Sequence, residues 1–150
     1  MHHRHCVLFV EDDVEVVEVF RDAFSRLTEI YALHVVKSAG EAISYIRGIG
    51  KYGHRREYPM PTVMVAGVSE DRLRAVEWLR GQPELESVRV VVLAESDDEE
   101  TIARAYQAGA HSCLLKSDDL EELREILLVV GRYWMECNQM PAPSRPVSRD

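Results

Sequence analysis

An acidic cluster and a lysine stand at the ends of two apolar runs. Glu11, Asp12 and Asp13 follow the run Cys6-Val7-Leu8-Phe9-Val10, and Lys116 follows Ser112 to Leu115. Carboxylates clustered in this way either bind a metal or serve as charged partners for a lysine and a helix N-terminus. Left unpaired, their mutual repulsion raises a carboxyl pKa; Lys116 offsets part of it. A third run, Thr62-Val63-Met64-Val65-Ala66, ends in Gly67. Glycine has no side-chain atom to bond, so covalent chemistry at position 67 is excluded.

Alternating runs and helical patterns are what must position these residues. The chain has 150 residues, a hydrophobic fraction of 46% and a charged fraction of 29%, the composition of a globular domain. The strands expected are residues 6–10, 32–36, 62–66, 88–93 and 112–115, each short and apolar enough to be covered on both faces. Between them Val16, Val17, Phe20, Ala23, Phe24 and Leu27 keep helical spacing, as do Leu73, Val76, Trp78 and Leu79. Capping-box pairs Ser38/Glu41, Ser96/Glu99 and Asp118/Glu121 predict helix starts, and Gly48 or Gly50, Gly81 and Gly109 predict stops. The last helix is expected to run from the Asp118 cap to about Asn138. Residues 49–61 form a polar, turn-rich connection that is long for a compact domain, and are expected to be mobile or interactive. Five strand–helix units imply a parallel sheet with helices on both sides, whose crevice lies at the carboxyl ends of the strands. One domain over residues 1–140 and a disordered Pro/Ser/Arg tail over 141–150 are expected.

Charge and cysteine use narrow the classes further. A net charge of −8 argues against direct nucleic-acid binding. No apolar run approaches the ~20 residues of a membrane span, and the N-terminus lacks a secretory signal pattern. Cys6, Cys113 and Cys137 fit neither a disulfide framework nor a zinc site, so a reducing cytoplasm is expected.

The segment from Val7 to Asp13 and the segment Tyr106-Gln107-Ala108-Gly109-Ala110-His111-Ser112-Cys113-Leu114-Leu115-Lys116 resemble the response-regulator receiver domain of two-component signalling. The resemblance covers about residues 5–140. The long connection before strand three and the extended last helix are similar to small receivers paired with cyanobacterial phytochromes. The resemblance implies a flavodoxin-like (βα)5 fold with strand order 2-1-3-4-5. It also implies Mg²⁺ held by Glu11 and Asp12, a phosphoacceptor aspartate at the end of strand three, and Lys116 on the phosphoryl group. Here Gly67 stands at the acceptor position, Ala94 replaces the hydroxyl switch residue, Cys113 the aromatic switch residue, and Ser117 the proline after the lysine. Nucleophile and relay are thus lost together.

The resulting expectation is a pseudo-receiver of phosphorelay signalling, not an enzyme, with Glu11, Asp12 and Lys116 as remnants of the site and no cofactor, Mg²⁺ binding being weak at most. Its partners would be a histidine kinase or downstream effector, and a second copy of itself through the last helix. Glu70 or Asp71 is the candidate substitute for the missing carboxylate, although both fit better as the start of the third helix. His2, His3 and His5 with Cys6 form an adventitious metal candidate, and His54-Arg55-Arg56 an anion or partner site. Two alternatives remain: a conventional phosphoacceptor whose aspartate was engineered away or recently lost, and a flavodoxin-like small-molecule binder. The latter lacks a phosphate-cradling glycine loop after strand one.

Overall fold

The computed structural model describes residues 5–25 and 31–133. The expected tail at 141–150, and the last helix beyond Tyr133, lie outside the described residues. In chain order the elements are β1 (His5–Val10), α1 (Val14–Ser25), β2 (Tyr31–Val36), α2 (Ala39–Arg47), β3 (Val63–Gly67), α3 (Glu70–Arg80), β4 (Arg89–Ala94), α4 (Glu99–Ala108), β5 (Ser112–Leu115) and α5 (Leu120–Arg132). The five strands are parallel in the order β2-β1-β3-β4-β5, as expected.

Side-chain alternation along the strands builds two cores. Cys6, Leu8 and Val10 of β1, Met64 and Ala66 of β3, and Val90 and Val92 of β4 face α2, α3 and α4. Val7 and Phe9, Val63 and Val65, and Val91 and Leu93 face α1 and α5. On that second face Phe9, Phe20 and Phe24 stack in series, with ring centroids 3.7 and 4.5 Å apart. These aromatic contacts hold the valine-rich α1, whose intrinsic helix propensity is low. Right-handed crossovers require this division, because the chain leaves β1 toward β2 on one side and returns past it to β3 on the other. The order in which strands are added therefore reverses between β1 and β3, although the strands stay parallel, and that switch point opens beside Glu11 and Gly67.

Helix caps follow the expected chemistry with two shifts. Ser38 caps α2, accepting from the Glu41 amide at 3.2 Å. Asp98, not Ser96, caps α4: Asp98 Oδ1 accepts from the Thr101 amide at 2.7 Å, while Ser96 Oγ donates to Asp98 Oδ2 at 2.8 Å. Asp119, not Asp118, caps α5 through the Glu121 amide at 2.9 Å. In both cases a serine two residues earlier steadies the aspartate, so the helix begins later than a serine cap or Asp118 would place it. Gly109 ends α4 at φ +121°, and a Cβ there would lie 1.9 Å from Arg80 Cγ, so close packing as well as backbone conformation demands glycine.

The connection at 49–61 is fastened down. It contains a 3-10 turn at Gly50–Gly53. Arg55 Nη1 donates to the carbonyls of Tyr45 (2.8 Å) and Tyr58 (3.3 Å), and its Nη2 donates to the Ile46 carbonyl. The Tyr45 hydroxyl donates to the Pro59 carbonyl at 2.8 Å, and the rings of Tyr45, Tyr52 and Tyr58 meet at 5.0–5.9 Å. Arg55, weighed from sequence as part of an anion or partner site, instead satisfies carbonyls at the end of α2. Replacing it (Arg55→Ala) is expected to cost about 2–3 kcal/mol, because a charged donor to buried carbonyls is lost. A lowered urea midpoint and new protease nicks within 49–61 would register that loss.

Candidate functional site

Glu11 is the centre of the strand-end crevice and is only 4% exposed. Its backbone still continues the ladder between β1 and β2, its amide donating to the Val36 carbonyl at 2.9 Å. Its Oε2 accepts from the amides of Asp12 (3.1 Å) and Asp13 (3.2 Å), so the turn leaving β1 folds around the carboxylate. Lys116, positioned by its amide donating to the Ala94 carbonyl at 2.7 Å, holds Nζ 3.8 Å from Glu11 Oε1 and 3.7 Å from Glu95 Oε1. Asp13 is the residue that caps α1, its Oδ1 accepting from the Glu15 and Val16 amides.

A residue not singled out from sequence completes the cluster. Arg72 lies in the first turn of α3, where side chains lean back toward the helix N-terminus and over the strand ends. Its Nη2 donates to Asp12 Oδ1 at 2.6 Å and to Glu11 Oε2 at 3.3 Å. Hydrogen bonding to that guanidinium, and then its charge, lower the Asp12 pKa below the ordinary 3.8. The carboxylates are paired, so the raised pKa expected for unpaired like charges does not occur at Asp12; the shift is in the opposite direction.

The remaining positions sort clearly. Gly67 ends β3, and a Cβ built on it would meet Arg72 Cδ and Nη1 at 3.5 Å and Glu11 Oε1 at 3.8 Å. Ala94 ends β4 and is buried. Cys113 is half-buried in β5, its amide donating to the Tyr106 hydroxyl at 3.2 Å, and burial raises its thiol pKa. Ser117 Oγ donates to Glu122 at 2.7 Å. Glu70 and Asp71 do not reach the crevice. Glu70 pairs with Arg104, and Asp71 accepts from the Ala39 amide at 3.0 Å while pairing with Arg74. Cys6 is buried with Sγ 3.4 Å from the Tyr45 hydroxyl; His2 and His3 lie outside the described residues.

A divalent ion such as Mg²⁺ needs several oxygens in near-octahedral array. Only Glu11 and Asp12 are offered, and an oxygen of each already touches the guanidinium. No group of three or more His, Cys, Asp or Glu side chains suited to a metal occurs among the described residues. The residues present do not fit such an ion.

This sheet order, with an acidic pair after β1 and a lysine after β5, is the response-regulator receiver fold. Response regulator Rcp1 of Synechocystis sp. is 22% identical over 139 residues, spanning 91% of this chain and 92% of its own length. The phosphorylated cyanobacterial phytochrome response regulator RcpA superposes with a TM-score of 0.83 at 22% identity, over 93% of this chain and 99% of that one. The Mn²⁺-bound form of Rcp1 gives 0.81 at 21% identity, over 92% and 99%. No protein-family model matches the chain. The similarity to receivers of the cyanobacterial-phytochrome type, expected from residues 49–61 and the last helix, is thus found in both sequence and structure.

Two outcomes follow from the geometry. Glu11→Ala should destabilise the fold by about 3 kcal/mol, the scale for breaking a buried pair, with Glu11→Gln costing less because an acceptor for the Asp12 and Asp13 amides remains; urea unfolding reads both. Asp12 has a depressed folded pKa, so its stabilisation is present above the ordinary 3.8 and lost as pH falls through the lower folded value. Asp12→Asn should therefore flatten the acid limb of a stability–pH curve.

Proposed function

We propose that this chain is an atypical receiver-like protein of phosphorelay signal transduction that is not phosphorylated at the usual site and acts by protein–protein interaction in the cytoplasm. The observation that carries this reading is Gly67 at the end of β3, with an arginine folded onto the acidic pair beside it. Glu11, Asp12 and Lys116 serve here as a structural ion-pair network, not as catalytic groups, and Ala94 and Cys113 supply no hydroxyl or aromatic switch. The chain is not an enzyme in this reading and needs no cofactor.

What supports an interaction role is the apolar face of β5 and α5. A groove of about 780 Å³ there is lined by Leu114, Leu115, Ile126, Val129, Val130 and Tyr133. Val129 is 68% exposed, although it directly precedes the buried Val130 in α5. Partners in this reading are signalling proteins, a histidine kinase or a downstream effector, and a second copy of the chain docking through α5. The alternative of a conventional phosphoacceptor lacking only its aspartate accounts less well for Arg72.

Incubation with a small phosphodonor and Mg²⁺, followed by intact-mass measurement, tests the first half of the proposal. No adduct is expected; a gain of about 80 Da, one phosphoryl group, that disappears under base would overturn it. For the second half, Val129→Glu is expected to lower the sedimentation coefficient to that of a monomer or abolish partner capture while leaving thermal stability unchanged.

A further inference from the structure

We infer that Arg72 is the resident cation of this site, and that its guanidinium, beyond the loss of a carboxylate at position 67, keeps divalent metal ions out. The inference rests on the placement of Arg72 and not on whether the chain is phosphorylated.

Four observations converge on it. Arg72 Nη2 contacts both members of the acidic pair, at 2.6 and 3.3 Å. Lys116 holds the other oxygen of Glu11, so the two charges of Glu11 and Asp12 are matched by two cations of the chain itself. An incoming divalent ion would lose the carboxylates to those cations and be repelled by both. Two local costs attach to the position of Arg72. A cation in the first turn of a helix opposes the macrodipole, at a cost of roughly 0.3–1 kcal/mol, and Arg72 Nε is buried without a hydrogen-bond partner. The pairing with Glu11 and Asp12 is what offsets both. Finally, the space above Gly67 is occupied by this side chain: a Cβ at 67 fits in ordinary contact, but the carboxylate of an aspartate extending from it would enter the guanidinium. Restoring the aspartate alone would then form another ion pair with Arg72 instead of a third metal ligand.

Mn²⁺ binding, followed by electron paramagnetic resonance of the free ion, tests this in the full chain. The set is the wild type, Arg72→Gln, Arg72→Lys, Gly67→Asp, and Gly67→Asp combined with Arg72→Gln. Glutamine keeps the stem of the side chain, lysine keeps the charge, and a circular-dichroism melt of each variant confirms folding. Neither the wild type, the lysine variant nor Gly67→Asp is expected to bind saturably at millimolar Mn²⁺. The double variant is expected to bind at least about tenfold tighter than Gly67→Asp, with Arg72→Gln in between. Saturable binding by the wild type no weaker than by Arg72→Gln overturns the inference, as does equal affinity of Gly67→Asp and the double variant. A phosphoryl adduct on the wild type without Mn²⁺ binding would sink the proposed function and leave this inference standing; Mn²⁺ binding without an adduct would do the reverse.

Discussion

A carboxylate almost wholly removed from water sets the terms for this crevice. Burying an ionised group costs several kcal/mol unless charges and hydrogen bonds replace its hydration. Glu11 recovers that cost from two amides of its own turn and from Lys116 and Arg72 on opposite sides. Those cations arrive from β5 and α3, so the charge of one residue ties the first, third and fifth strand–helix units together. Removing either cation would leave the buried charge of Glu11 with only one partner of opposite sign.

The same arrangement changes what a conformational response of this chain would require. In a site that responds to metal or phosphate, charge arrives from solution and the surrounding loops adjust to it. Here the neutralising charge is covalently part of α3, and its concentration never varies. A ligand shifts a conformational equilibrium only by its differential affinity for the two states. With the crevice already satisfied, the proposed reading places such differential affinity in surface contacts, and apolar side chains stand out on the β5–α5 face.

The fold was legible because each strand is a short apolar run and each helix carries its own punctuation. Buried parallel strands read as continuous hydrophobic stretches, and the order 2-1-3-4-5 followed from the resemblance to receivers. Cap assignments slipped where a serine and an aspartate cooperate: Ser96 and Asp98 both carry capping chemistry, and only geometry shows that the serine serves the aspartate. Glu11 and Lys116 were legible because strand ends fix their place. Arg72 was not, since even with the third helix placed at Glu70 or Asp71, nothing in the sequence tells a first-turn arginine folded over the strand ends from one extended into solvent. A signal was nevertheless present, in a basic residue five positions beyond Gly67 in a first turn otherwise acidic. The fastening of residues 49–61 was hidden for a different reason. One arginine among several polar neighbours satisfies the carbonyls, and composition does not distinguish it from a solvated charge.

The hydrogen bond from the Cys113 amide to the Tyr106 hydroxyl also bears on how this surface can be approached. Cys113 lies on β5, an outer strand of the sheet, where an outward-facing amide is an open invitation to another chain's backbone. Tyr106 answers that invitation from within the molecule. Strand addition along this border would have to evict the phenol first, so a partner meeting this edge is steered away from main-chain zippering and toward side-chain recognition.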